Sequence, residues 1–132
     1  MPKAKVNVGV QKINLLHTFY EILNHVDYYP KHIIDVGANH GTWSREILGF
    51  FPKSQITMLE PQHWLKASVE DLLLNKNIRL FNVGAGNKND TLKFTIVDRD
   101  DSCNFRISPQ EAEERGFKQV DIPIVTLNSL VK

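Results

Sequence analysis

Between Val10 and Val26 the apolar residues Ile13, Leu16, Phe19, Leu23 and Val26 recur at three- and four-residue steps. That period predicts a helix with one buried face, ended near Pro30. The next stretch, His32 to Val36 (HIIDV), is too short for a helix and β-branched at its centre, so it reads as a buried strand. Trp43, Ile47 and Phe50 or Phe51 restore helical spacing, with Thr42 or Asn39 as candidate cap and Pro52 as stop. QITMLE, from Gln55 to Glu60, is a second strand closed by Pro61. Gln62 to Lys76 returns to helical period through Leu65, Val69, Leu72 and Leu73, and IRLFNVGAG, from Ile78 to Gly86, is a third strand running into glycine and asparagine.

Strands alternating with helices in this way imply parallel pairing with right-handed crossovers, the α/β doubly wound pattern. The last third changes character. TLKFTIV (Thr91 to Val97) alternates sides, DRDDSCN (Asp98 to Asn104) is a charged loop, SPQEAEERG (Ser108 to Gly116) is a short polar helix, and DIPIVTLNSLV (Asp121 to Val131) is extended. This predicts an antiparallel strand pair laid on the parallel core. One domain over 1–132 is expected: an N-terminal helical segment (1–30), a β-α-β-α-β core (31–89), and the antiparallel pair with its helix (90–132).

Composition narrows the function. The chain has 132 residues, 42% of them hydrophobic, with sixteen basic and fifteen acidic residues and a formal charge of +1. No basic excess suggests a nucleic-acid partner, and Lys3, Lys5 and Lys12 read as a solvated terminus. Cys103 is the only cysteine, which excludes an internal disulfide and a thiolate metal cluster; in its polar loop it reads as an incidental thiol. The histidines form no ligand cluster, so no metal is expected. No signal peptide or membrane-spanning run is apparent, and a cytoplasmic location is the default expectation.

Ligands of open α/β sheets sit outside the carboxyl ends of the strands. Three loops emerge there: Gly37–Gly41, Glu60–Pro61 and Gly84–Gly86. Glycine at 37 and 41 lets the backbone approach a ligand or take a positive φ. The helix starting near Thr42 turns its free N–H groups to the same place, favouring a carboxylate or phosphate. Glu60 ends the second strand about twenty residues after the glycine turn, where an acid can accept both hydroxyls of a ribose. Alone, such an acid is better explained as a solvated charge; beside the glycine turn the balance reverses. A dinucleotide site wants G-x-G-x-x-G, whereas GANHG spaces its glycines four apart, which strains an NAD reading.

The segments DVGANHGTW, LEP and NVGAGNKNDTLKF resemble FkbM-type S-adenosylmethionine-dependent methyltransferases, from about Lys31 to the C-terminus. The resemblance implies a Rossmann-like, class I methyltransferase sheet and S-adenosyl-L-methionine as cofactor. It implies that Asp35, Gly37, Ala38, Asn39 and Gly41 shape the pocket for the methionine half. Glu60 would hold the ribose hydroxyls, and the main chain at Val83, Gly84 and Ala85 would flank the adenine. The methyl acceptor would be an oxygen on a sugar or other small metabolite. His40 could touch substrate but reads as a loop-exposed imidazole; His63 and Trp64 begin the following helix, with Trp64 a further candidate to border the adenine.

The family continues past its TLD segment, here Thr126 to Asn128 with Asn in place of Asp, into a fourth strand beside the first. The expectation is therefore a sheet truncated before its fourth core strand, with the catalytic base unassigned and an apolar open edge prone to self-association. Three functions compete: a methyltransferase represented by its cofactor-binding half, a nucleoside-binding module without catalysis, and, disfavoured by the glycine spacing, a nicotinamide-dependent enzyme.

Overall fold

The computed structural model describes residues 14–131. Helix α1 (Leu15–His25) leads to β1 (His32–Val36), α2 (Thr42–Phe50) and β2 (Gln55–Leu59). A 3-10 segment (His63–Val69) runs into α3 (Glu70–Leu73), followed by β3 (Ile78–Phe81), β4 (Gly84–Ala85) and β5 (Asp90–Ile96). A 3-10 turn (Asp100–Ser102), α4 (Pro109–Arg115), β6 (Lys118–Val125) and α5 (Leu127–Leu130) complete the described chain.

The architecture is α/β. Strands β1, β2 and β3 form a parallel sheet in that order. Asp35 stands opposite Met58 and Val36 opposite Leu59, while Leu59 stands opposite Phe81 on the other side. Strand β2 is central, and Ile56, Met58 and Leu59 are fully buried. That is why its sequence is a near-continuous apolar run rather than an alternating one. Ile47 and Phe51 of the α2 region, Val69 and Leu72 beneath the second crossover, and Tyr20 of α1 close the core around it. Among the described residues β1 pairs with β2 alone, so its other edge carries no strand.

The second sheet has the order β4-β6-β5. β5 and β6 pair antiparallel from Asp90 opposite Ile124 to Ile96 opposite Lys118. The alternation of TLKFTIV thus marks a strand in the expected antiparallel pair, with Phe94, Ile122 and Ile124 buried. Helix α4 also forms where its signature places it: Ser108 accepts from the Glu111 N–H at 3.1 Å, Pro109 opens the first turn, and Gly116 ends it at φ 69°.

Several expectations are corrected. The third strand does not run through Gly86. It stops at Phe81, and Gly84–Ala85 joins the other sheet, parallel to β6. A Cβ on Gly84 would lie 2.6 Å from Ile124 Cδ1, so the bare backbone is what lets the two strands meet. Helix α1 buries Tyr20 and half-buries Leu23, leaving Leu16, Phe19 and Val26 exposed. Tyr20 wins the core position because its hydroxyl accepts from Trp43 Nε1 at 2.9 Å while its ring packs on Phe50 and Phe51. Ile13, and the expected helical turn before Asn14, lie outside the described residues.

The helix expected over Gln62 to Lys76 is mostly 3-10. The Ser68 hydroxyl bonds back to the Leu65 carbonyl at 2.7 Å, and Arg45 Nη2 donates to the Ser68 carbonyl at 2.8 Å, both competing with an α ladder. Neither Thr42 nor Asn39 caps α2; Gly41 does, at φ 76° and without a side-chain bond. Strand β6 begins at Lys118, and beyond Val125 the chain turns helical rather than staying extended, closed by Ser129 N–H to Thr126 O at 3.1 Å.

Candidate functional site

The carboxyl ends of β1 and β2 bring the first loop and Glu60 together. The N–H groups of Gly37 and Ala38 both donate to the Leu59 carbonyl, at 2.8 and 3.0 Å, which bends the chain sharply out of β1. Gly37 takes φ 81° and Asn39 φ 50°, a left-handed turn that glycine and asparagine tolerate best. A Cβ on Gly37 would meet nothing within 4 Å, so glycine is required there for its φ and not for space. Gly41 differs. Its Cβ would lie 2.8 Å from Leu72 Cδ1 and 3.0 Å from Val69 Cγ1, so it lets the α2 N-terminus sit on the core.

Glu60 is only 4% exposed. Its Oε2 accepts from the Asn39 N–H at 2.7 Å, and its Oε1 from the Gln62 N–H at 3.0 Å and Gln62 Nε2 at 3.2 Å. An ionised carboxylate offers about four acceptor positions. Three are taken, which leaves one free on Oε2. The backbone of Glu60 is fixed as firmly: its N–H donates to the Phe81 carbonyl at 3.0 Å and its carbonyl accepts from Asn82 Nδ2 at 2.9 Å.

Asp35 is buried beneath this loop and accepts from the Ser44 hydroxyl at 2.6 Å. Burial raises its pKa above the ordinary carboxylate value; the Ser44 bond opposes the rise and the nearby Glu60 charge adds to it. A neutral side chain at this position is therefore easier to hold than an ionised one.

A cavity of about 490 Å³ opens beside Glu60. Of the residues singled out from the sequence, Gly37, Asn39, Glu60, Val83, Gly84 and Ala85 line it. Asp35, Ala38 and Gly41 stand outside its lining and shape the loop from below. The wall facing Glu60 belongs to the second sheet and the charged loop: Phe94, Asp100, Asp101, Cys103, Phe105 and Arg106. Phe94 and Phe105 pack as a tilted pair with centroids 4.8 Å apart, so the lining combines aromatic side chains with the polar groups of Glu60, Gln62 and Asp100. His63 and Trp64 are exposed, pack on each other at 5.1 Å, and do not reach the cavity.

Gln62 and Asp100 were not singled out from the sequence. Gln62 is 3% exposed; its Nε2 donates to the Asp100 carbonyl at 2.8 Å as well as to Glu60. Its Oε1 is buried without a donor among the described residues. His40 Nε2 meets Asp100 Oδ2 at 2.6 Å, and His40 Nδ1 lies 2.9 Å from Ser68 Oγ. The place of Gln62 directly after the strand-ending Glu-Pro was the available signal; nothing local marks Asp100.

No known family profile matches the chain, and no curated protein matches it by sequence. By structure it is similar to the crystal structure of methyltransferase FkbM from Methylobacillus flagellatus KT, with a TM-score of 0.50 and 13% identity. The match covers 78% of this chain and 23% of that one, so the chain spans less than a quarter of that protein's length. At this identity the likeness shows the fold alone: methyltransferase-like over most of the chain.

Proposed function

We propose that this chain is the cofactor-binding part of an FkbM-type methyltransferase, with a Rossmann-like sheet and S-adenosyl-L-methionine as its cofactor. The observation that carries the reading is Glu60: a buried carboxylate at a strand end, lining a cavity, with an acceptor position still free. A ribose hydroxyl fits that position. Val83 to Ala85 and the tilted Phe94–Phe105 pair offer apolar surface for a purine. The turn at Gly37 leaves open space where a side chain would stand, next to where the polar tail of the cofactor would lie.

Bound there, the cofactor supplies a methyl group activated on a sulfonium. The chain's own residues bind and orient it: Glu60 accepts from the ribose, the first loop surrounds the methionine half, and the second sheet excludes water from the purine side. The acceptor is an oxygen of a sugar or small metabolite, reached from outside the described cavity wall, and the protein works in the cytoplasm. Among the described residues no helix is long and apolar enough to cross a membrane.

Titration calorimetry with S-adenosylmethionine and S-adenosylhomocysteine tests the reading. Saturable one-to-one binding that NAD does not displace is expected. Binding of NAD in preference to either would favour the nicotinamide alternative, and binding of neither would remove the cofactor assignment. Binding without methyl transfer by the full-length gene product would leave the non-catalytic module.

A further inference from the structure

Five residues form a closed circuit at the cavity mouth. Glu60 accepts from the Asn39 backbone at 2.7 Å; Asn39 Oδ1 accepts from the His40 N–H at 2.9 Å; His40 Nε2 meets Asp100 Oδ2 at 2.6 Å. The Asp100 carbonyl accepts from Gln62 Nε2 at 2.8 Å, and Gln62 returns to Glu60. The circuit joins the first loop, the end of β2 and the charged loop of the second sheet, which lie far apart in sequence. Both ends of Asp100 are used, side chain to His40 and main chain to Gln62.

The charged loop is anchored at its base and reaches over at its tip. Thr95 and Asn104 exchange backbone bonds of 2.7 and 3.2 Å, closing Ile96 to Cys103 into a protruding loop. Its residues Asp100, Asp101 and Cys103 line the cavity. Beyond the base, the tip is tied across the mouth only through Asp100 among the hydrogen bonds of the described residues. The His40–Asp100 pair is 46% and 40% exposed. A pair so open to solvent biases an equilibrium by no more than about fivefold, so it fastens without locking.

We propose that the Asp98–Cys103 loop is a movable cover over the cavity, fastened at Asp100 by His40 and Gln62. Gln62 is a positioning residue that ties the closed loop to Glu60. A carboxylate only accepts, so the His40 Nε2 proton sits on the contact with Asp100. Gln62 is oriented by the same logic, since both partners of its Nε2 are acceptors and a reversed amide would face them with its oxygen. A vicinal diol needs two positions on Glu60 where one is free. The second can come only from a protein donor, and the 3.2 Å Gln62 Nε2 contact is the longest of the three. The cover and the ligand thereby meet at one carboxylate. This last step rests on the reading of the cavity as a nucleoside site; the cover itself does not.

Cys103, the only cysteine, lies within the cover and reports its opening by the rate of alkylation with iodoacetamide. Without ligand, His40→Ala and Asp100→Ala are each expected to raise that rate two- to fivefold, and the double variant no further. Gln62→Met is expected to raise it likewise, and Glu60→Ala to do so through Gln62, with no additional rise when the two are combined. Multiplying effects in the His40/Asp100 cycle, or rates equal to wild type, would overturn the cover; a wild-type rate in Glu60→Ala would overturn the tie through Gln62. Should the buried-site variants fail to fold, the exposed His40/Asp100 cycle still decides. S-adenosylhomocysteine takes Gln62 off Glu60 but itself fills the space against Cys103, so it is expected to slow Cys103 alkylation at least fivefold in the wild type by direct occlusion. Loss of that protection alone, with the cycle coupled, would overturn the cofactor reading and leave the cover standing.

Discussion

Asn39 and Glu60 lie 21 residues apart and are joined by a 2.7 Å bond from backbone N–H to carboxylate. Through it, the acid that ends one strand holds the turn that leaves the neighbouring strand. Loop shape and the proposed ligand contact thus share a single side chain.

Replacing Glu60 is expected to show both roles. Glu60→Ala should weaken S-adenosylhomocysteine binding by about 1.5–3 kcal/mol per charge-assisted bond lost, read by calorimetry. It should also lower unfolding stability by about 1–3 kcal/mol, because the Asn39 and Gln62 donors lose their acceptor. Affinity equal to wild type would remove the nucleoside assignment while leaving the loop-holding role intact.

The two glycines of the first loop should separate in urea unfolding. Gly37→Ala is expected to cost about 1–2 kcal/mol, the penalty of a left-handed backbone with a Cβ. Gly41→Ala adds overpacking against Leu72 and Val69, a further 1–3 kcal/mol or so. A smaller loss at Gly41 than at Gly37 would mean that the α2 N-terminus shifts freely.

Asp35 predicts a pH dependence with a definite sign. Its folded pKa is raised, chiefly by burial, so its favourable contribution is fully present below the unfolded value near 3.8 and is lost as pH rises through the raised one. Asp35→Asn removes that titration. The stability of the wild type minus that of Asp35→Asn should therefore increase as pH is lowered from neutral toward about 4, measured by urea unfolding. A flat difference would show that Asp35 is not held in the buried site in solution.

Helix α1 is held by few groups, and Tyr20 is the principal one. Tyr20→Phe leaves the Trp43 indole N–H without its acceptor and is expected to cost about 1–3 kcal/mol. Tyr20→Ala should cost about 3–5 kcal/mol and red-shift Trp43 emission as α1 detaches. Unchanged emission would mean that Leu23 and the neighbouring contacts suffice.

The outer face of α1 carries Leu15, Phe19, Ile22 and Val26, exposed by 77, 52, 54 and 63%. These positions recur every three or four residues, and among the described residues β1 also has an edge without a strand partner. Light scattering is expected to show mass rising with concentration, and Phe19→Lys with Ile22→Lys to reduce it. A constant monomer mass would place both surfaces among harmless ones.

What the sequence discloses here is what is local. QITML announces β2 because burial on both sides demands a near-continuous apolar run, HIIDV announces the half-buried β1 by its short β-branched centre, and the Ser-Pro start and Gly end of α4 fix its bounds chemically. The glycine turn and Glu60 were legible because each sits at a strand end. The splitting of IRLFNVGAG between two sheets was not, since it depends on Gly84 meeting Ile124, forty residues away. An apolar-only pattern does not pick out Tyr20, whose hydroxyl finds an indole partner. The pairing of His40 with Asp100, 60 residues away, has no local signature at all.

Only Asn82 and Val83 separate β3 from β4, so the chain crosses from one sheet to the other in a single step, while strand pairing stays within each sheet. Such a molecule has two halves that can melt at different temperatures, the antiparallel half opening while the parallel half persists. The cavity touches both. Whatever binds there acts as a strut, and at a hundredfold excess over its dissociation constant it adds about 2.7 kcal/mol to the assembled state alone. Scanning calorimetry should then show two overlapping transitions drawn into one, so that the ligand governs not just how stable the protein is but whether it unfolds as a unit.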